Sequence, residues 1–85
     1  MFLHVVRAEH LERHRVRVWF NDGSQGDIDL SASLIGPIFE PLRNLEYFKG
    51  FSVTGHTLTW PNGADFAPEY LQSLMRIAAG SIAVE

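Results

Sequence analysis

Hydrophobic and polar residues alternate most cleanly from Arg15 to Phe20. Val16, Val18 and Phe20 point one way, and Arg13, Arg15, Arg17 and Trp19 the other. A period of two marks a strand with one buried face. After Asn21-Asp22-Gly23-Ser24 a second alternating run sets Gly26, Ile28 and Leu30 inward and Gln25, Asp27 and Asp29 outward. Asp and Gly tolerate the positive φ of a tight turn, so the two runs are expected to form a hairpin. Val5 to Ala8 is expected to be an earlier, shorter strand.

The pattern also constrains register. A two-residue loop at Asp22-Gly23 would place Val18 opposite Asp27 and Val16 opposite Asp29, mixing core and solvent on one face. A register moved by one residue, through a three-residue loop or a bulge, is therefore expected. It would pair Val18 with Ile28, Val16 with Leu30, Arg17 with Asp29 and Trp19 with Asp27.

Between Ser31 and Gly50 strand periodicity is lost. Ser31 suits the cap of a short helical turn, Gly36-Pro37 ends it, and a further helical turn is expected near Asn44 to Phe48. Ile38, Phe39, Leu42, Leu45 and Phe48 would plug the open side of the sheet. Phe51–Thr54 and His56–Trp60 are expected as a second hairpin around Gly55. The run Trp60-Pro61-Asn62-Gly63-Ala64-Asp65 then describes a junction. An aromatic ends a strand, Asn62 and Gly63 supply turn geometry, and Asp65 is placed to accept hydrogen bonds from turn or helix N–H groups. Trp60 would bury its ring and offer Nε1–H to a partner. Pro68 suits the first helical position, where its missing N–H costs nothing. Leu71, Leu74, Met75 and Ala78 recur at helical spacing, flanked by Tyr70 and Ile77, and Gly80 is expected to stop the helix.

The expected fold class is thus α+β: a twisted antiparallel sheet of about five strands, a C-terminal helix, and short helical turns between the two hairpins. A chain of 85 residues has room for one domain, expected over residues 1–80 with 81–85 as a frayed tail. No internal repeat or linker interrupts it. Six Phe, two Trp and two Tyr suit a small core, since each ring removes much apolar area from water.

The absence of cysteine excludes a disulfide framework, a thiolate zinc site and a cysteine nucleophile. The N-terminus lacks a secretion signal's long apolar run, and no stretch approaches the ~20 apolar residues of a membrane helix. A cytoplasmic protein is expected. Net charge is −3, but residues 4–17 carry four arginines against two glutamates, with three histidines besides. A basic beginning on an acidic body raises the question of a polyanionic partner.

The candidate surface is therefore Arg13, Arg15, Arg17 and Trp19, whose guanidinium groups and indole could hold phosphates and stack a base. If Asp27 and Asp29 face these arginines, cross-strand pairing neutralises the stripe, and a protein partner fits better. Asp27 and Asp29, about 7 Å apart along one strand, could in principle share acid–base work, yet nothing marks a pocket beside them. His10 and His14 invite a metal reading, but residues four apart converge only on a helix, and Arg13 between them repels a cation. No catalytic residue, metal site, cofactor or small-molecule substrate is assigned, and an enzyme is not expected. The leading expectation is a non-catalytic protein-interaction module that also self-associates through the free edge of its first strand. The alternative is a small nucleic-acid-binding or regulatory accessory protein.

Several of these stretches together resemble a bacterial family catalogued as domain of unknown function 2442. They are Phe20-Asn21-Asp22-Gly23, Asp29-Leu30-Ser31, Gly36-Pro37-Ile38-Phe39 with Leu42, Phe48, and Trp60 to Asp65 followed by Pro68 and Leu71. The resemblance implies a small α+β domain without an established activity. It also implies that some longer relatives carry a helix-turn-helix domain after this one. Stand-alone members are expected beside another small gene, in an arrangement like a toxin–antitoxin pair. A chain ending at Glu85 is expected to lack the DNA-binding domain.

Overall fold

The structure, a computed structural model, describes residues 2–83, and side chains through Met75. Strands β1 (Val5–His10), β2 (Arg15–Phe20) and β3 (Gln25–Asp29) form an antiparallel sheet in the order β1-β2-β3. Two 3-10 turns (Ser31–Ser33 and Glu40–Arg43) and the short helix α1 (Leu45–Phe48) follow. Strands β4 (Ser52–Thr54) and β5 (Thr57–Thr59) then pair as a separate two-stranded sheet, and helix α2 (Pro68–Ala83) comes last.

The α+β class and the short helical turns between hairpins are present. The single five-stranded sheet is not. Among the described residues the second hairpin meets the first sheet through one backbone bond, Val5 N–H to the His56 carbonyl at 2.9 Å, rather than through a ladder. The cause lies in β1, where a register shift between Val5 and Arg7 bulges Val6 outward. A bulge bends the strand and disrupts the row of groups that a further ladder would need. His56 itself lies in the turn, at φ 74°, with its ring stacked on His4 at 3.9 Å.

The β2–β3 register differs from expectation in direction. Val16 faces Ile28, Val18 faces Gly26, Arg17 faces Asp27, Arg15 faces Asp29 and Trp19 faces Gln25. The loop has three residues, as expected, but they are Asn21-Asp22-Gly23, closed by the Phe20 N–H to Ser24 carbonyl bond at 2.9 Å. Placing the loop one residue earlier keeps the same parity of inward and outward positions. Periodicity alone therefore cannot choose between the two. Asn21 decides it, because its side chain accepts from the His4 N–H and donates to the Phe2 carbonyl, tying the loop to the N-terminal segment.

The inner face of the sheet carries Val5, Val16, Val18, Phe20 and Ile28, all buried. Leu30, Leu34, Leu42 and Phe48 from the connector, and Leu58, Trp60, Phe66 and Leu71 from the C-terminal part, complete one core. Each fully buried aliphatic or aromatic side chain contributes about 1.5–3 kcal/mol. Of the residues expected to plug the sheet, Leu42 and Phe48 are buried and Phe39 packs on the core, while Ile38 and Leu45 stay exposed. Helix α2 crosses the inner face at β3, where Met75 packs so closely on Gly26 that a Cβ there would lie 3.1 Å from it. The helix continues through Gly80, where a stop was expected, to Ala83. The Ala78 and Ile77 side chains and residues 84–85 of the expected tail lie outside the described residues.

Candidate functional site

Strand alternation puts Arg7 and Glu9 of β1, Arg15, Arg17 and Trp19 of β2, and Gln25, Asp27 and Asp29 of β3 on one outer face. Their rows are matched. Glu9, Arg17 and Asp27 lie side by side, and Arg7, Trp19 and Gln25 form the next row. Arg17 grips Asp27 with two hydrogen bonds, Nε to Oδ1 at 2.7 Å and an NH2 nitrogen to Oδ2 at 3.2 Å. This fork geometry is the strongest form of an Arg–carboxylate contact. The hydrogen bond and charge of Asp27 push the Arg17 pKa up, and Arg17 holds the Asp27 carboxyl below its usual range. Arg15 reaches Glu12 at 3.3 Å, and the Arg7 guanidinium lies 4.5 Å over the Trp19 ring.

Arg13 is not on this stripe. It sits in the β1–β2 turn with left-handed backbone, φ 49°, two residues before β2 begins. Its carbonyl accepts a bond from His10 Nε2 at 2.7 Å, and its guanidinium makes no ion pair among the described residues. The stripe thus loses one arginine to the turn, and its other two are held by carboxylates.

Asp27 and Asp29 hold different partners, Arg17 and Ser31. Asp29 accepts the Ser31 N–H at 2.9 Å, closing a turn of its own chain, and that bond holds its carboxyl below the usual range. It lies in an open depression of about 440 Å³ lined by Glu12, Arg13, His14, Arg15, Asp29 and Ser31. Asp27 lies outside that lining. A carboxylate held ionised in this way accepts hydrogen bonds and does not serve as a proton donor at neutral pH.

The two histidines considered for a metal flank Phe48 instead. His14 lies edge-on to its ring with centroids 4.7 Å apart, and His10 does so at 6.1 Å. Each sets Nε2 against a carbonyl, His14 against Leu42 at 3.0 Å and His10 against Arg13. A carbonyl only accepts, so Nε2 carries hydrogen in both and is closed to a metal. Among the described residues no three His, Asp or Glu side chains gather as a metal site would require.

At the C-terminal junction Trp60 is 1 % exposed and donates Nε1–H to the Phe48 carbonyl at 2.8 Å. Asn62 accepts the Ala64 N–H and donates to the Ile38 carbonyl at 2.9 Å. Gly63 sits at φ 90°. Among the described residues the Asp65 side chain accepts none of the expected hydrogen bonds: at the helix start the Ala67 carbonyl accepts from Tyr70 and Leu71, while Asp65 is exposed. Asn62, two residues before Ala64, serves the turn instead. Pro68 is the first residue of α2, as its fixed φ favours.

Residues missed at the sequence level are Arg7, Glu12, Ser31 and Gln72. Glu12 precedes Arg15 by three and Ser31 follows Asp29 by two, spacings that mark a local ion pair and an Asx turn. Gln72, which donates to Asp22 at 3.0 Å and to Ser24 at 3.1 Å, carries no such signal, being some fifty residues away.

The sequence pattern of a protein family of unknown function, DUF2442, matches residues 5–74. The chain belongs to the DUF2442 family. No curated protein matches it. Among solved structures it is similar to NE0471 of Nitrosomonas europaea, named as a candidate DNA-binding protein. The TM-score is 0.81 at 19% identity, over 94% of this chain and 53% of that one. The DUF2442 chain thus spans about half the length of that relative, and a likeness at this identity is one of fold. Among the described residues no helix of this DUF2442 protein is long and apolar enough to cross a membrane.

Proposed function

We propose that this DUF2442 protein is a non-catalytic protein-interaction module. The observation that supports the reading most is the internal neutralisation of its sheet face. Three arginines there pair with carboxylates, Arg7 with Glu9, Arg15 with Glu12 and Arg17 with Asp27, while Asp29 lies opposite Arg15 and the Trp19 ring lies under the Arg7 guanidinium. A phosphate backbone needs a net positive surface from which counterions are released. This face offers a mosaic of both signs, which another protein can complement. Apart from this face, Ile35, 73% exposed, and Ile38, on a connector anchored by buried Leu34 and Leu42, offer apolar contact of their own. The arrangement of neighbouring small genes implied by the family resemblance is consistent with a protein partner.

The test is affinity capture of the tagged full chain from its own host, with crosslinks mapped by mass spectrometry, beside a fluorescence titration with mixed-sequence DNA and RNA at low and high salt. A single stoichiometric protein partner and no saturable nucleic-acid binding are expected. Strongly salt-dependent binding to DNA or RNA with no protein captured would replace this reading. The second reading, nucleic-acid binding, is favoured by the name of the structurally similar N. europaea protein and by the Arg13 guanidinium at the rim of the depression, which makes no ion pair among the described residues.

A further inference from the structure

We propose that the outer edge of β3 is a docking site for an extended basic segment of a partner protein, which adds to the sheet as a fourth strand. This rests on the interaction-module reading and names its surface and partner class. The edge follows from the hydrogen-bond pattern. Leu30 N–H bonds to the His14 carbonyl at 2.9 Å and Phe20 N–H to the Ser24 carbonyl at 2.9 Å. In an antiparallel pair bonded positions alternate, so 16 with 28 and 18 with 26 are bonded as well. The N–H and C=O groups of Gln25, Asp27 and Asp29 therefore point away from β2. Among the described residues no hydrogen bond reaches them, and β3 is terminal in the sheet. Helix α2 covers the inner face at Gly26 rather than replacing a strand.

The side chains select the occupant. Asp27 and Asp29 project from this strand and Asp22 lies at its entry; Asp27 shares its charge with Arg17 on β2, and each of the three keeps further acceptor positions toward the open edge. An added strand would set every second residue beside these carboxylates, where lysine or arginine forms cross-strand pairs and aspartate or glutamate is repelled. A second copy is a poor occupant for the same reason. The antiparallel self-pairing that overlaps the whole of β3 puts Asp27 opposite the Asp27 of the second copy. Charges on an edge strand suppress such self-association in natural sheets, yet the same charges leave the edge open to a partner of opposite sign. Backbone pairing would give affinity and the alternate basic residues specificity, as in other strand-addition complexes.

The experiment titrates the isotope-labelled full chain with a capped peptide of alternating lysine and threonine and reads amide hydrogen exchange by NMR. Slowed exchange at the amides of Gln25, Asp27 and Asp29 is expected. The same peptide N-methylated at its edge-facing positions should not bind, and a glutamate–threonine peptide should bind about tenfold more weakly or worse. Shifts confined to the Glu12–Ser31 depression, indifference to N-methylation, or no binding would each overturn the proposal. So would concentration-dependent protection of those three amides without peptide, which would assign the edge to a second copy. A failed peptide titration beside a protein captured from the host removes the edge and keeps the interaction module. Failure of the capture removes the module itself.

Discussion

The chain builds the same turn twice and uses it differently. Phe20-Asn21-Asp22-Gly23-Ser24 and Trp60-Pro61-Asn62-Gly63-Ala64 share one backbone. The aromatic N–H bonds to the carbonyl four residues on, the glycine N–H returns to the aromatic carbonyl, and an Asp or Asn side chain accepts the next N–H. Both glycines sit at φ 90°. After Ser24 the alternation continues and the turn opens a five-residue strand. After Ala64 only one bridge forms, Thr59 with Asp65, before Pro68 starts a helix. The turn residues dictate local geometry, and the residues that follow dictate what it connects. Each turn also docks something distant through its Asx side chain. Asp22 receives Gln72 of α2, and Asn62 reaches the Ile38 carbonyl of the connector.

The two turns differ most in what their aromatic does. Phe20 contributes packing alone, whereas Trp60 also satisfies a buried carbonyl and touches the Phe48, Phe51 and Phe66 rings. Trp60→Ala should cost about 3–5 kcal/mol in urea unfolding. Trp60→Phe should still cost about 1–3 kcal/mol, because the Phe48 carbonyl loses its donor inside the core. A Phe variant as stable as the parent would reduce Trp60 to a filler. Next come the glycines. No atom lies within 4 Å of a Cβ built at Gly23 or Gly63, so alanine meets only backbone strain. Gly23→Ala and Gly63→Ala should each lose about 1–2 kcal/mol, equally at both turns. Unequal losses would mean the turns are alike in geometry but not in the load they carry.

A smaller effect separates the polar residues of the second turn. Asn62→Ala removes two hydrogen bonds and should cost about 1 kcal/mol. Asp65→Ala should stay within about 0.5 kcal/mol, as for other exposed positions without a partner. The reverse order would restore Asp65 as the residue that closes the junction. Here lies the limit of what sequence reveals. Pro68, Gly63 and the parity of β2 and β3 are local signals, and each position behaves in the structure as its chemistry requires. Which acidic or amide side chain closes a turn is a competition between neighbours, and Asn62 wins by being nearer to the free N–H. Register is a similar competition, decided by the tie of Asn21 to His4. The division into two sheets was equally hidden, since periodicity identifies strands without naming their partners. The arginine stripe was half legible: Arg15 and Arg17 share a face as alternation requires, but no residue pattern announces the left-handed Arg13 that ends it.

The smallest effects should come from the sheet face, despite its many charges. Arg17 and Asp27 remain substantially solvent-exposed, and water and salt screen such pairs. Asp27→Asn should therefore lower Tm at neutral pH less than Gly63→Ala does. Its signature should appear in acid. Asp22, Asp27 and Asp29 all have carboxyls held below the ordinary range in the folded protein, chiefly by hydrogen bonds from Ser24, Arg17 and Ser31 respectively. A depressed folded pKa stabilises fully above the ordinary aspartate value of about 4 and is lost as pH falls below it through the folded value. Stability should thus decline on acidification from about pH 4 downward, and Asp27→Asn should make that decline shallower while leaving the profile above it nearly parallel to the parent. An unchanged acid limb would mean that Arg17 and Asp27 gain no more from each other in the fold than they do in the unfolded chain.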